Sequence, residues 1–224
     1  MRPAFPESEH RERLQRARIA LQKEGLDGCI CVAPEHLYYI GGYEAHTHFS
    51  EQGLVFTAGE DEPTLLVREV DLPLVHETSW LKDVRVYHFG SQDPAEVIAE
   101  IAEEKGILGK RIGLDLGSYA LPGAYAFRLA KELGPSTIKD STQVIGNLRL
   151  IKSSKEVEYI RKAAICANAG LEAVMNKARR GITEIQLAGE IEYALRTHGS
   201  DYMAMPTWLA AGPLLAASQT EGTA

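Results

Sequence analysis

Residues 147–164 read NLRLIKSSKEVEYIRKAA, and two textures of sequence meet there. Ser153, Ser154, Lys155 and Glu156 form a capping-box pattern: a hydroxyl accepts an otherwise unpaired N–H of the first helical turn, and a Glu three residues on reaches back to the cap's own amide. A helix is therefore predicted from this point to about Lys177. Arg179, Arg180 and Gly181 end it, with cations set against the negative pole of the helix dipole. Thr183-Glu-Ile-Gln186 repeats the device and opens a second helix that runs to His198 and stops at Gly199. Two long amphipathic helices thus follow the junction.

Upstream, strands and helices alternate instead. Leu14, Ala17, Ile19, Ala20 and Leu21 recur at helical spacing among charges over Glu7–Glu24, and Gly25 supplies the stop. Gly28 to Val32 is a short run of β-formers closed by Pro34, as expected of a strand buried on both faces. After one or two helical turns from Pro34, broken by Gly41 and Gly42, strands at Gly53–Ala58 and Thr64–Val67 flank the turn Gly59-Glu-Asp-Glu-Pro63 and read as a hairpin. A short helix around Val70–Glu77, a strand at Val84–Phe89, a helix at Pro94–Lys105, a strand at Arg111–Leu116 and a helix at Pro122–Leu133 complete the pattern. Connections of a few residues between alternating elements predict a three-layer α/β domain with a mixed sheet. This first domain is predicted to span residues 1–145, with residues 146–224 forming a linker, two helices and the entry to a further strand.

Composition narrows the function classes. The 224 residues are 45% hydrophobic and 25% charged, the balance of a globular chain. The net charge of −7 comes with scattered rather than clustered Lys and Arg, which argues against nucleic acid. No apolar run approaches the roughly 18 to 20 residues that span a bilayer, and the first residues are too charged for a signal peptide, so the expectation is a cytoplasmic protein with no membrane partner. Three cysteines fit a reducing compartment. Cys29 and Cys31 share one face of an apolar strand, and Cys166 lies in a helical pattern; all three read as small buried hydrophobes. A metal-binding Cys-x-Cys calls for further ligands nearby in sequence, and none stand there.

Candidate chemistry is sparse. His46-Thr-His48 would project both imidazoles to one side of an extended chain, where they could meet one divalent metal or an anion, with Glu51 a remote third ligand. The plainer reading is a polar loop before the hairpin. Asp115, Asp140 and Glu190 stand alone in sequence and read as helix-end, turn or surface carboxylates. No Gly-x-Ser-x-Gly elbow and no phosphate-binding glycine pattern is present.

The segment 147–164 resembles the junction of the pita-bread metallohydrolase family of creatinase, prolidase and aminopeptidase P, in which an "LR-x-IKS-x-x-E" element links a non-catalytic N-terminal domain to the catalytic one. Leu37-Tyr-Tyr-Ile-Gly-Gly-Tyr43 is similar to the family's "Y-(L/Y)-(T/S)-G" turn, and Arg180-Gly-Ile-Thr-Glu-Ile-Gln-Leu-Ala188 to its "G-x-(T/S)-E" helix start. The resemblance implies a creatinase/prolidase N-terminal domain followed by an incomplete α+β pita-bread domain. It further implies a homodimer, a peptide or small amide substrate in the complete protein, and a pair of divalent metals (Mn, Co or Zn), absent in creatinases, held by two Asp, one His and two Glu on later strands. His46, His48 and Phe49 fall where a loop reaching the other subunit's substrate is expected.

Ala211-Gly212-Pro213 is similar to the family's first catalytic strand, but Leu214 replaces a polar or Arg residue, and Gln219 occupies the place of the pocket His. Gln carries no proton to relay near neutral pH. A truncated or frameshifted reading frame is the expectation, with no catalytic residue, no metal and no cofactor in this chain. The apolar stripes after residue 150 would then lack a cover: several hundred Å² at roughly 25 cal/mol per Å² is on the order of ten kcal/mol, so these helices are expected to be weakly ordered alone or docked on a second copy. The competing expectations are a non-catalytic dimerisation or regulatory module and, less favoured, a stand-alone small-molecule binder.

Overall fold

A computed structural model describes residues 3–45, 50–201, 203 and 205–212. The chain divides into two compact units, residues 1–151 and 152–224.

Unit one is built on a six-stranded sheet in the order β4-β3-β2-β1-β5-β6. The central strand β1 (Gly28–Cys31) pairs antiparallel with β2 (Gly53–Thr57) and parallel with β5 (Arg111–Leu114). β3 (Thr64–Arg68) is antiparallel to β2, β4 (Asp83–Tyr87) is parallel to β3, and β6 (Thr137–Asp140) is parallel to β5. Only β2 runs against the rest, so the mixed sheet and the β2–β3 hairpin are as expected from the turn chemistry.

Strand alternation divides the core between two faces. Cys29, Cys31, Leu54, Phe56, Leu65 and Val67 point to one side. There they meet α1 (Glu7–Lys23), α2 (Pro34–Gly41), α3 (Leu72–Thr78) and α6 (Thr142–Leu148). Ile30, Val55, Leu66, Ile112 and Leu114 point to the other side, against α4 (Pro94–Glu104) and α5 (Gly123–Glu132). A strand covered on both faces has no polar side to offer, which is why β1 is apolar throughout.

Two sequence-based expectations need correction. Ile19, assigned to the core stripe of α1, is exposed, while the buried side of that helix carries His10, Arg13 and Arg18 as well as Leu14, Ala17 and Leu21. Arg13 is accommodated because its guanidinium stacks on the rings of Phe5 at 4.2 Å and Tyr39 at 4.6 Å and pairs with Glu9 at 2.7 Å. The second is that the elements do not end at α5: β6 and α6 follow it. Ile145 is fully buried, and the Leu148 carbonyl accepts from Arg16 at 3.3 Å and from the Tyr39 hydroxyl at 3.1 Å.

Unit two contains α7 (Ser154–Lys177) and α8 (Glu184–Thr197), both opened by complete capping boxes. Gly170 of α7 is buried where Leu195 and Ile191 of α8 approach it. The described residues between 203 and 212 include no strand, and residues 213–224, with the expected catalytic strand and Gln219, lie outside the described residues.

Candidate functional site

Five of the six strands point the same way, so their carboxyl ends share one edge of the sheet, the edge where α/β proteins usually place ligands. The segment entering β2 arrives at this edge too. His46, His48 and Phe49 lie outside the described residues, but Ser50 and Glu51 follow them directly and line a cleft of about 640 Å³ there.

The cleft is polar and cross-braced. Arg128 on α5 forks to both Glu51 oxygens at 2.7 and 2.8 Å, and its Nε meets Asp93 at 3.1 Å. Asp93 also caps α4, accepting from the Ala95 amide at 3.0 Å. Arg68 at the end of β3 lies over the Phe89 ring. Burial, with Glu51 next, pushes the Tyr87 phenol up to about 12, so it is a neutral donor near pH 7. The Tyr125 hydroxyl is buried with no hydrogen-bond partner, and burial raises its pKa as well. This wall offers hydrogen-bonding groups and charge, and its described residues include no activated nucleophile.

A second cluster lies at the same edge, entirely inside the protein. Asp115 follows β5, and its Oδ2 accepts from the Val32 and Ala33 amides at 3.0 and 3.1 Å, closing the start of α2. His36 Nδ1 lies 3.0 Å from the same oxygen. A carboxylate beside the positive pole of a helix is favoured. Cys31 Sγ joins this pair, so that donor atoms from Cys31, His36 and Asp115 fall within 4.8 Å of one another. Cys29 adds a sulfur 3.6 Å from Cys31 Sγ and 3.3 Å from Ser141 Oγ. Gly113 admits Ser141 this closely, since a Cβ there would lie 2.7 Å from the Ser141 Cβ.

The outcome for the sequence-based candidates is mixed. Asp140 is a turn carboxylate as expected, accepting from the Thr142 hydroxyl at 2.6 Å and from the Thr142 amide at 2.9 Å; these bonds hold its pKa down. Glu190 is a half-buried partner of Lys177 at 3.3 Å. Asp115 does stand at a helix end, but it is fully buried and has His36 and Cys31 for neighbours. Beside Cys31 the fold does gather further donor groups: α2 brings His36, and the parallel pairing of β1 with β5 brings Asp115, which no neighbouring sequence supplies. Cys166 is half-buried rather than buried, with its thiol donating to the His198 carbonyl at 3.2 Å.

Residues 13–151 match the Creatinase/Prolidase N-terminal domain family, and residues 158–220 match Metallopeptidase family M24. This chain belongs to the creatinase/prolidase family. A Xaa-Pro dipeptidase of Pyrococcus furiosus is 27% identical over 202 residues, covering 90% of this chain and 53% of that protein. The crystal structure of a dipeptidase from Pyrococcus horikoshii superimposes with a TM-score of 0.72 at 26% identity, over 87% of this chain and 52% of the other. A prolidase from Thermococcus sibiricus has the same fold, with a TM-score of 0.76 at 19% identity, over 88% of this chain and 52% of the other. The chain spans about half the length of the curated relatives it matches.

For a creatinase/prolidase member the question of a hydrolytic metal arises, and the buried cluster does not fit one. Cys31 and Asp115 have no solvent exposure and His36 has 1%, so neither a water nucleophile nor a peptide reaches them. Among the described residues no helix is long and apolar enough to cross a membrane.

Proposed function

We propose that this chain forms the N-terminal half of a Xaa-Pro-type metallopeptidase and that hydrolysis requires strands beyond those it supplies. The observation that carries this reading is the double match: the N-terminal domain family over residues 13–151 and the metallopeptidase family over residues 158–220, with about half of each full-length relative covered. The first domain, its junction near residues 146–152 and the α7–α8 hairpin are then scaffold, the catalytic groups coming from the remaining part. The metal pair of the complete protein would be held by that remaining part, and the expected setting is cytoplasmic.

Within this scheme the cleft edge has a defined part. His46, His48 and Phe49, leading directly into Ser50 and Glu51, would reach a substrate held by a second copy in a homodimer. The Arg128–Glu51–Asp93 brace supports the reading by fixing Glu51, two residues after Phe49, to α5 and to the start of α4.

The test is hydrolysis of a Xaa-Pro dipeptide with Mn²⁺, Co²⁺ or Zn²⁺ present, comparing the purified 224-residue chain with a polypeptide extended through the downstream reading frame. The 224-residue chain is expected to be inactive and the extended one active. Turnover by the shorter chain would overturn the reading. If the extended form is active, His48→Ala is expected to lower kcat/KM by about tenfold or more while leaving metal content unchanged, the size expected when a contact made only in the transition state is removed.

A further inference from the structure

The buried cluster at the start of α2 has donors left over. Asp115 Oδ2 takes the Val32 and Ala33 amides and His36, yet Oδ1, equally buried, has no hydrogen-bond partner. A buried acceptor left unpaired is costly unless something binds it. The neighbours able to do so here are ligand atoms themselves.

Geometry and charge agree on what would fit. A tetrahedral zinc site with N and O arms of about 2.0 Å has an N–O edge of about 3.3 Å. The His36–Asp115 separation is 3.0 Å, so that edge needs only a few tenths of an ångström of expansion, and donor atoms of Cys31, His36 and Asp115 all fall within 4.8 Å of one another. One thiolate, one carboxylate and a neutral imidazole cancel a divalent charge, and a neutral set is what a fully buried location requires. The donor mix of sulfur, nitrogen and oxygen suits zinc rather than magnesium or calcium.

We infer that Cys31, His36 and Asp115 form a buried structural site for one zinc ion, with the unpaired Asp115 Oδ1 among its donors, tying β1, α2 and the end of β5 together. On binding, the Cys31 thiol proton passes to solvent, while the imidazole keeps its one proton on Nε2 and turns Nδ1 to the metal. Cys31 and Asp115 are fully buried and His36 nearly so, so the ion enters with the site open, during folding.

The experiment is to unfold the 224-residue chain in chelator and reductant, then refold it with Co²⁺. One equivalent is expected to bind with a thiolate-to-cobalt charge-transfer band and the visible bands of tetrahedral cobalt, all displaced by one equivalent of Zn²⁺. Cys31→Ser should abolish the charge-transfer band, whereas Cys166→Ser and a His46→Ala/His48→Ala double variant should leave it intact. X-ray absorption of the zinc-loaded unmodified chain needs no variant, and is expected to show sulfur in the first shell. A shell of nitrogen and oxygen only, absence of the charge-transfer band, or its survival in Cys31→Ser with folding intact would overturn the assignment.

Discussion

His36 and Asp115 are 79 positions apart in sequence, yet His36 Nδ1 and Asp115 Oδ2 lie 3.0 Å apart with both side chains out of water. Three donors converge on that one carboxylate oxygen, two of them backbone amides at the mouth of α2. Removing the acceptor leaves all three unsatisfied in a dry interior. Asp115→Ala is therefore expected to destabilise unit one by about 3 to 5 kcal/mol. Asp115→Asn keeps one oxygen acceptor and loses only the charge, and is expected to cost about 1 to 3 kcal/mol. Urea unfolding of the metal-free chain checks both, and a loss below about 1 kcal/mol in Asp115→Ala would show that the carboxylate is not the anchor.

Asp61 plays a similar part at the other end of the sheet. Its Oδ1 accepts from the Thr57 hydroxyl at 2.7 Å, the Thr57 amide at 3.1 Å and Arg18 at 3.2 Å, and its Oδ2 meets Lys105 at 3.0 Å. Arg18 also donates to the Asp61 carbonyl. Burial works to raise the Asp61 pKa, but the bonds from Thr57 and Lys105 outweigh it and the net shift is downward. The sign follows: a carboxyl held low in the fold contributes stability above its unfolded value of 3.8, and that contribution drains away as pH falls through the folded value. Asp61→Asn is expected to cost about 2 kcal/mol at pH 7, since charge-assisted bonds are lost at a site still partly open to water. Below about pH 3 the difference from the unsubstituted chain should shrink, as unfolding curves at the two pH values would record.

Much of this architecture is legible in the residues. The apolar run 29–33 admits only a strand buried on both sides, and the Gly59–Pro63 turn pairs its neighbours. The capping boxes at Ser153 and Thr183 form as written, with Ser153 Oγ accepting from the Glu156 amide at 3.1 Å and Thr183 Oγ1 from the Gln186 amide at 3.2 Å. β6 is harder to see because Thr137-Ile-Lys-Asp140 is an edge strand with a single half-buried apolar residue, so it carries no hydrophobic period. The buried arginines and His10 of α1 also escape a hydropathy pattern, since each is sheltered by ring stacking or by carbonyls supplied from elsewhere in the chain. The Cys31–His36–Asp115 cluster depends on the register that sets Ile30 beside Leu114, which no local window contains. The available signal was positional: an Asp directly after one apolar strand and a His just after another, both at strand ends where ligands gather.

His10 provides a pH-dependent element of the opposite chemical type. It is buried beneath Phe5, and its Nδ1–H donates to the Tyr39 carbonyl at 3.1 Å. Burial is the largest influence and lowers its pKa below 6.5; the Tyr39 bond and Glu9 oppose this, and Arg13 adds to it. The folded protein therefore takes up this proton less readily than the unfolded chain. The neutral ring's contribution is complete above about pH 6.5 and declines as pH falls toward the folded value. His10→Gln preserves a donor for Tyr39 without the titration. Between pH 7.5 and 5.5 its urea midpoint is expected to fall less than that of the unsubstituted chain, and parallel slopes would show that His10 is not the group involved.

The α7–α8 hairpin offers a test in which helix propensity competes with packing at one position. Gly170 is buried in the middle of α7, where glycine costs about 1 kcal/mol relative to alanine. A Cβ there would stand 3.2 Å from Leu195 Cδ2 and 3.4 Å from Ile191 Cγ2, both side-chain ends on α8. A single methyl asks those ends to yield by a few tenths of an ångström, so Gly170→Ala should be close to neutral, the propensity gain offsetting the squeeze. Gly170→Leu places three further carbons in the same gap and must push the helices apart, at a cost of about 1 to 3 kcal/mol. Amide exchange over residues 154–197 reads the difference directly: protection retained in the Ala variant and reduced in the Leu variant. Loss of protection in both would mean that the helices meet more tightly than these distances allow, and retention in both that α8 does not rest on Gly170 in solution.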